Sequence, residues 1–359
     1  MNAQKKEEFG NRLVEILNHG ALNLALGMGY ELEIFEALEG ADQPVSVEEL
    51  AERTGLNARY LGEWLGIMVT GRILDLHGGA GEERYSLPRE HAAVLTRNAG
   101  SGNMGVYTQE IPLLTRIAAG AVTRDFKVGE GVPFSAYPKF QDFMGELSDA
   151  KHGDVLVQHF LPQVDDGRMV ARMEEGIQVC DLGCGQGYAL ELMARAFPNS
   201  GFVGIDNDAS SIAVARKRQA GLDNLEFVCL DGAALEDGSQ WESRFDYITA
   251  FDAIHDQCRP LEALKSVVHM LAPGGAFSMV DIDARTAHAG NMDHPMGPFL
   301  YTVSLLHCMP QGLCDGGMGL GMMWGRERAV ELLEKAGFSK VDPCEMAHDP
   351  FNLHYFCRK

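Results

Sequence analysis

The sequence has little positive charge and no long apolar run. Its 30 lysines and arginines stand against 51 aspartates and glutamates, which leaves a formal net charge of −21 at pH 7. Because nucleic-acid phosphates are bound mainly by lysine and arginine, we expect no large nucleic-acid interface. No stretch is apolar over the roughly 20 residues that a membrane-spanning helix needs. Residues 1–8 are polar and lack the apolar segment of a signal peptide.

Cysteine patterns that mark a disulfide or zinc framework are also missing. The chain has eight cysteines, and no two of them form a C-x-x-C pair. They are spread through apparent strands and loops, as reduced thiols are in cytosolic proteins. The histidines and cysteines of residues 284–325 have no recognised metal-ligand spacing. We therefore expect a cytoplasmic protein that needs no metal ion.

The most informative stretch is a glycine-rich turn near the middle of the chain. The length of 359 residues is enough for about two domains. A short apolar strand over residues 176–182 is followed by Gly183, Gly185 and Gly187, and then by apolar residues at helical spacing. Strand, glycine turn and helix open an α/β nucleotide-binding unit, in which the backbone approaches a ligand without a Cβ between them. The spacing is G-x-G-x-G, which differs from the dinucleotide motif.

Acidic residues lie at the ends of the predicted strands. Asp181 comes just before the glycines, Asp206 ends the second strand, and Asp231 follows the third. A fourth strand is predicted over residues 245–252 and contains Phe251. Alternation of strands with helices predicts a parallel sheet covered on both faces, and such sheets bind ligands at the carboxyl ends of their strands.

Three motifs in this order resemble those of the class I S-adenosylmethionine-dependent methyltransferases. They are D-L-G-C-G-Q-G at residues 181–187, G-I-D at 204–206 and L-A-P-G-G at 271–275. The resemblance covers residues 176–359. It implies an α/β fold with a Rossmann-like, seven-stranded methyltransferase sheet in a domain over 169–359.

The resemblance also implies a donor site. S-adenosylmethionine would be the methyl donor and S-adenosylhomocysteine the product. The backbone at Gly183 and Gly185 would face the methionine part, and Asp206 would bind the ribose. Asp231 would accept from the adenine amine beside Gly232. The remaining predicted donor-binding residues are Asp181, which would contact the amino group directly or through water, and Gly187 and Phe251.

Residues 1–100 predict a mostly α winged-helix domain. Ser46 and Glu49 form the signature of a capping box, and a second helix over residues 58–71 precedes a hairpin. Between residues 41 and 75, six acidic residues outnumber three basic ones, which disfavours DNA binding. Small-molecule O-methyltransferases of plants and bacteria carry such a domain for dimerisation and as a lid, so the resemblance implies a homodimer.

Two further segments leave alternatives open. Residues 101–168 predict a helical connecting region with helices over 104–121 and 154–164. Its aromatic residues between 134 and 143 either line an acceptor pocket or pack between domains. The Met- and Gly-rich segment 284–325 is either a flexible wall of that pocket or a packing surface against the first domain.

His255 is the candidate general base. Methyl transfer is an in-line displacement, and a hydroxyl acceptor must also lose a proton. The His255–Asp256 pair resembles that of plant-type O-methyltransferases, although Gln257 stands where that family has tryptophan. An imidazole with a pKa of about 6.5 suits this task. We therefore predict O-methylation of a small molecule. The alternatives are N- or S-methylation by positioning alone, or a winged-helix regulator that senses S-adenosylmethionine.

Overall fold

The computed structural model describes residues 1–137, 140–153, 155–236 and 240–359. The chain forms two compact units, Met1–Leu113 and Leu114–Lys359. The three-part division predicted from the sequence stays a prediction. Among the described helices, none is both long enough and apolar enough to cross a membrane. All eight cysteines are free thiols.

The amino-terminal unit is built from helices and one small hairpin. Its elements are α1 Ala3–Glu31, α2 Ile34–Glu39, α3 Val47–Thr54, α4 Ala58–Thr70, β1 Asp75–His77, β2 Arg84–Ser86 and α5 Arg89–Leu95. The capping box is present, because Glu49 N donates to Ser46 Oγ at 3.2 Å and Ser46 N donates to Glu49 Oε2 at 2.9 Å. The predicted order of helix, turn, helix and hairpin is confirmed.

Helix α1 is continuous through Gly20, Gly27 and Gly29. A Cβ on Gly27 would lie 2.6 Å from the Thr108 carbonyl oxygen, and one on Gly29 would lie 2.4 Å from the Trp64 ring. The Trp64 indole donates to the Ala25 carbonyl at 2.8 Å. These glycines therefore allow close packing against a continuous helix, which outweighs their low helix propensity.

The carboxyl-terminal unit contains a seven-stranded sheet in the order β5-β4-β3-β6-β7-β9-β8. Its strands are β3 Gln178–Leu182, β4 Gly201–Asp206, β5 Leu225–Cys229, β6 Phe245–Phe251, β7 Leu271–Ile282, β8 Lys340–Met346 and β9 Asp349–Arg358. Only β9 runs antiparallel to its neighbours, β7 and β8. The strand order reverses between β3 and β6, which is where such sheets form a ligand-binding crevice.

Helices cover both faces of this sheet. The described helices that follow the amino-terminal unit's hairpin and α5 are α6 Glu110–Val128, α7 Phe140–His152, α8 Arg168–Glu175, α9 Tyr188–Ala196, α10 Ala209–Arg218, α11 Pro260–Met270, α12 Gly297–Val303, α13 Met309–Gly312 and α14 Arg326–Ala336. The neighbours Phe202 and Val203 are both buried but belong to opposite cores, one shared with α8, α9 and α10 and the other with α11 and α14. The central strands β3, β4 and β6 are largely apolar because both of their faces are buried.

Two segments differ from what the sequence suggested. Of the predicted helix over 154–164, residue Asp154 lies outside the described residues, and Leu156–Phe160 forms one π-helical turn before a tighter turn that contains Pro162. Proline lacks the amide donor that a continuing helix needs. Within 284–325, a helical stretch runs from α12 through a π-helical turn at Ser304–Cys308 into α13.

The turn after β3 yields a stability test. Gly187 has φ 80°, and a Cβ there would lie 2.4 Å from the buried Phe227 ring. Gly187→Ala should therefore destabilise the protein by about 2–4 kcal/mol, through left-handed strain and overpacking. Gly66→Ala, on α4 with nothing within 4 Å of its Cβ, is the control and should raise stability by up to about 1 kcal/mol. Urea unfolding followed by circular dichroism measures both, and equal midpoints for Gly187→Ala and the wild type would contradict the prediction.

Candidate functional site

The glycine turn after β3 is tied to the end of β4. Gly183, with φ 77°, donates its amide to the Ile205 carbonyl at 2.8 Å. The Gly185 amide donates to Asp206 Oδ2 at 2.9 Å. A Cβ on Gly183 would lie 2.4 Å from the Cβ of Ala253, so the turn requires glycine at this position. These contacts fix the turn over the carboxyl edge of the sheet.

A buried and a partly buried carboxyl group lie at this edge, those of Asp181 and Asp206. Asp181, on β3, accepts from Thr249 Oγ1 at 2.6 Å, and burial raises the pKa of its carboxyl to about 7. Asp206 accepts from the amides of Gly185 and Asp208. Burial raises the pKa of Asp206, although these amide donors oppose the rise. The edge is therefore acidic, with its carboxylates held by backbone and hydroxyl donors.

A cavity with a volume of about 180 Å³ opens beside the glycine turn. Its walls come from α7, the β3 turn, the end of β4, the loop after β6 and the helical stretch around residue 307. The lining residues are Phe134, Met144, Gly145, Leu147, Ser148, Lys151, His152, Asp181, Gly183, Cys184, Gly185, Gln186, Ala189, Asp206, Asn207, Ser211, Phe251, Asp252, Ala253, Asp256, Gln257, His307 and Gln311. The carboxyl ends of β3, β4 and β6 thus share one cavity, as expected for this topology.

Five of the predicted donor-binding residues line this cavity: Asp181, Gly183, Gly185, Asp206 and Phe251. The other three lie elsewhere among the described residues. Gly187 packs on Phe227, and Gly232 packs on Leu182. Asp231 accepts from the Ala233 amide at 2.8 Å and pairs with the exposed side chain of Arg259. The donor-binding roles themselves stay predictions.

Asp252 and Lys151 are cavity residues that sequence reasoning missed. They form an ion pair in which both side chains are about three-quarters buried. Asp252 has φ 50°, a left-handed conformation that is costly for a residue with a Cβ. It directly follows β6, so its position at a strand end, like that of Asp206, was the signal available in the sequence. Nothing in the sequence pairs Lys151 with it.

His255 lies in a buried network of charges. Its Nδ1 is 2.7 Å from Asp281 Oδ1, and its Nε2 is 3.4 Å from Asp256 Oδ1. Burial lowers the pKa of His255, but the carboxylates of Asp281 and Asp256 raise it by more, so the pKa lies well above its ordinary value. The imidazole itself does not line the cavity, whereas Asp256 does. Asp281, inside β7, was also missed, because an aspartate in an apolar strand carries no signal of its partner.

The helical stretch around residue 307 forms another wall. The His307 ring is buried with its centroid 4.2 Å from that of Phe140 and 5.0 Å from that of Tyr137. Burial lowers the pKa of His307 below its ordinary value. Its Nδ1 lies 3.5 Å from the Cys308 sulfur, and burial raises the pKa of that thiol. This histidine is therefore uncharged near neutral pH.

Three groups of this region lie close enough to be compared with a metal site. One ligand atom each of His255, Asp256 and Cys308 falls within 4.8 Å of the others. The sequence did not predict this grouping, because Cys308 is more than 50 positions from the pair. Each of these side chains also interacts with the others or with Asp281. The absence of a metal requirement stays a prediction.

Family models match two parts of the chain. Residues 173–309 match a model described as a methyltransferase domain. Residues 20–97 match a model described as an Rv2258c-like winged HTH domain.

Curated relatives are similar over shorter stretches. Trans-aconitate 2-methyltransferase of Sinorhizobium fredii is 31% identical over 123 residues, which are 32% of this chain and 39% of that protein. Fatty-acid O-methyltransferase of Mycolicibacterium smegmatis is 31% identical over 111 residues, which are 31% of this chain and 39% of that protein. The chain thus matches about two fifths of the length of these relatives.

Solved structures share the fold over the whole chain. Human N-acetylserotonin methyltransferase in complex with S-adenosylmethionine superposes with a TM-score of 0.73 at 17% identity, covering 100% of this chain and 99% of that one. Mitomycin 7-O-methyltransferase superposes with a TM-score of 0.71 at 17% identity, covering 100% of both chains. The resemblance drawn from the three motifs is therefore confirmed: residues 173–309 match a methyltransferase domain, residues 20–97 match a winged helix-turn-helix domain, and the chain has the fold of solved methyltransferases.

Proposed function

We propose that this protein transfers a methyl group from S-adenosylmethionine to a hydroxyl of a small-molecule acceptor. The observation that carries the proposal is the cavity, which is lined both by the glycine turn with its strand-end carboxylates and by Asp256, the neighbour of His255. The bound donor supplies a methyl group already activated by its sulfonium. The chain's own residues then have to hold donor and acceptor in line and accept a proton.

The residues at the glycine turn fit such a donor. Asp181, Asp206 and Asp252 bring three carboxyl groups to one cavity, which complements the positive charges of a sulfonium and an amino group. Asp206 Oδ1 and Oδ2 each accept one backbone amide, which holds the carboxylate in one orientation. Each oxygen keeps a further lone pair that a ribose hydroxyl can use. We assign Asp206 to the ribose and Asp181 to the amino group.

Donor affinity tests this assignment. Asp206→Asn should weaken binding of S-adenosylmethionine at least about tenfold, because hydrogen bonds to a charged group contribute about 1.5–3 kcal/mol. Asp208→Asn is the matched control: it makes the same change of charge two residues away, and asparagine still caps α10 in place of the present aspartate. Isothermal titration calorimetry measures both, and Asp231→Asn measured alongside tests the predicted adenine contact. Equal affinities for Asp206→Asn and Asp208→Asn would refute the ribose role.

His255 is the proposed general base, and the carboxylate of Asp256 connects its imidazole to the cavity. Asp256 Oδ1 is buried without a hydrogen-bond partner among the described residues, and it lies 3.4 Å from His255 Nε2. A proton that leaves the acceptor can pass through this carboxylate to the imidazole. Asp281 orients the ring through Nδ1. A phenol has a pKa near 10. The raised pKa of His255 reduces the difference between the pKa of the acceptor hydroxyl and that of the imidazolium, which favours proton transfer.

The sign of this pKa shift predicts the pH dependence. Since the pKa of His255 is raised, the neutral imidazole accumulates only above neutral pH, and kcat/KM should rise with pH to an alkaline plateau. Asp281→Asn removes one charge that raises this pKa, so the rise should move to lower pH with a lower plateau. His255→Ala should lose about 10²–10⁴-fold in kcat.

Transfer of the labelled methyl group from S-adenosylmethionine to phenol, amine, thiol and carboxylate acceptors measures these rates. The exposed His288 provides the control variant His288→Ala, which should match the wild type. Full turnover by His255→Ala would remove the base role, and label in amines or thiols alone would favour transfer by positioning without a base.

We also propose that the protein is a homodimer through α1. Apolar side chains recur on one face of this helix and are exposed in the single chain: Phe9 is 65% exposed, Leu13 45%, Leu17 65% and Leu24 46%. Exposed apolar patches of this kind mark association surfaces. A second copy would bury this face against its own.

Oligomeric state tests the dimer. The double substitution Leu13→Glu and Leu17→Glu should convert a dimer to a monomer, because it places four charges in the paired apolar surface. Asn11→Glu with Asn18→Glu adds the same charge on the opposite face of α1 and should leave the dimer intact. Sedimentation velocity distinguishes the two, and a monomeric wild type at tens of micromolar would contradict the proposal.

A further inference from the structure

Two polar side chains on the cavity wall have no role in the methyl transfer proposed above. His307 and Gln311 both line the cavity and lie four residues apart on one helical stretch. His307 Nε2 and Gln311 Oε1 are buried and have no hydrogen-bond partner among the described residues. Buried polar atoms in folded proteins nearly always have a partner. A ligand in the cavity would supply the missing partners.

The His307 ring is held in place on its other sides. The rings of Tyr137 and Phe140 pack against it, and the Tyr137 hydroxyl donates to the Leu306 carbonyl at 2.8 Å, one residue before it. The Cys308 sulfur lies 3.5 Å from Nδ1. A protonated Cys308 thiol can donate to Nδ1. The tautomer that accepts at Nδ1 carries its proton on Nε2 and so offers a donor to a ligand in the cavity.

Gln311 complements this donor. Its Oε1 accepts, and spacing of four residues places it about one helical turn from His307 on the same face. The wall thus offers one donor and one acceptor side by side. A compound with two neighbouring oxygens, one of them a hydroxyl, would satisfy both.

The charges around the cavity disfavour an anionic ligand. Lys151 is the cation on the described lining, and it is paired with Asp252. Asp256 adds a further carboxylate on the same lining. A carboxylate ligand would meet these acidic groups in a confined space, where like charges repel strongly. An uncharged ligand avoids this cost.

We propose that His307 and Gln311 bind the methyl acceptor as a donor–acceptor pair and select an uncharged compound whose reacting hydroxyl lies beside a second oxygen. This inference rests on the proposed methyl transfer to a hydroxyl. It assigns acceptor recognition to the segment around residue 307, apart from the donor residues at the glycine turn. His307 and Gln311 are specificity-determining residues, while proton removal stays with His255.

Substitutions that keep shape but remove polarity test the pair. His307→Phe retains a ring among aromatic neighbours, and Gln311→Met retains the length of the side chain. With catechol, phenol and benzoate as probes, the wild type should favour catechol over phenol at least tenfold and methylate benzoate least. Each variant should lose at least tenfold in kcat/KM for catechol, mainly through KM, and less than threefold for phenol. His288→Phe, at an exposed position of the same segment, should behave as the wild type.

Binding measurements separate this inference from the methyl transfer itself. Calorimetry with S-adenosylhomocysteine should give wild-type affinity in both variants, which also establishes that they fold. In the wild type loaded with S-adenosylhomocysteine, catechol should shift the ¹⁵N resonance of His307 Nε2. Binding with this shift but without methyl transfer would leave the ligand-binding role of His307 and Gln311 standing and refute the proposed function.

The remaining outcomes overturn the inference. If both variants methylate catechol at wild-type rates, the inference is wrong and the proposed function stands. The inference is also wrong if the wild type prefers benzoate or does not bind catechol.

Discussion

The hydrogen bond from the Gly185 amide to the Asp206 carboxylate joins the turn after β3 to the end of β4. The cavity depends on this link, because it holds the backbone of the turn open beside the acidic edge of the sheet. Glycine at 183 and 187 leaves room for Ala253 and Phe227, whose side chains a Cβ would meet at 2.4 Å. The ligand-binding edge is thus created by packing constraints on a few residues, as well as by the strand order.

Buried charge is concentrated at the same edge. Asp181 and Asp281 are buried and Asp206 is partly buried, and each is held by a donor from a different element: Thr249 on β6, the Gly185 amide, and the His255 ring. Burying such groups is costly unless they are paired. Asp181 and Asp206 line the cavity, and Asp281 is connected to it through His255 and Asp256.

The winged helix-turn-helix unit has a charge that differs from that of DNA-binding surfaces. Its charge between residues 41 and 75 has the wrong sign for phosphate, and the glycines of α1 serve close packing against Trp64 and Thr108. The first half of that helix presents an apolar face instead. These features favour association with another protein surface over contact with nucleic acid.

The sequence by itself determined the family, the strands and the glycine turn, because these depend on local periodicity and on backbone conformations that only glycine adopts easily. It also placed Asp181 and Asp206 correctly at the edge of the sheet, since a strand end is a local feature. Only the tertiary structure decided which other side chains meet there. Lys151 pairs with Asp252, and Asp281 pairs with His255. His307 and Gln311 line the same cavity as the glycine turn, although Gln311 is 128 positions from Gly183 in the sequence. Such encounters depend on chain crossings and packing, which no local pattern encodes. Asp231 also lies at the end of a strand, as Asp206 does. It nevertheless pairs with Arg259 and lies outside the described lining of the cavity, for the same reason.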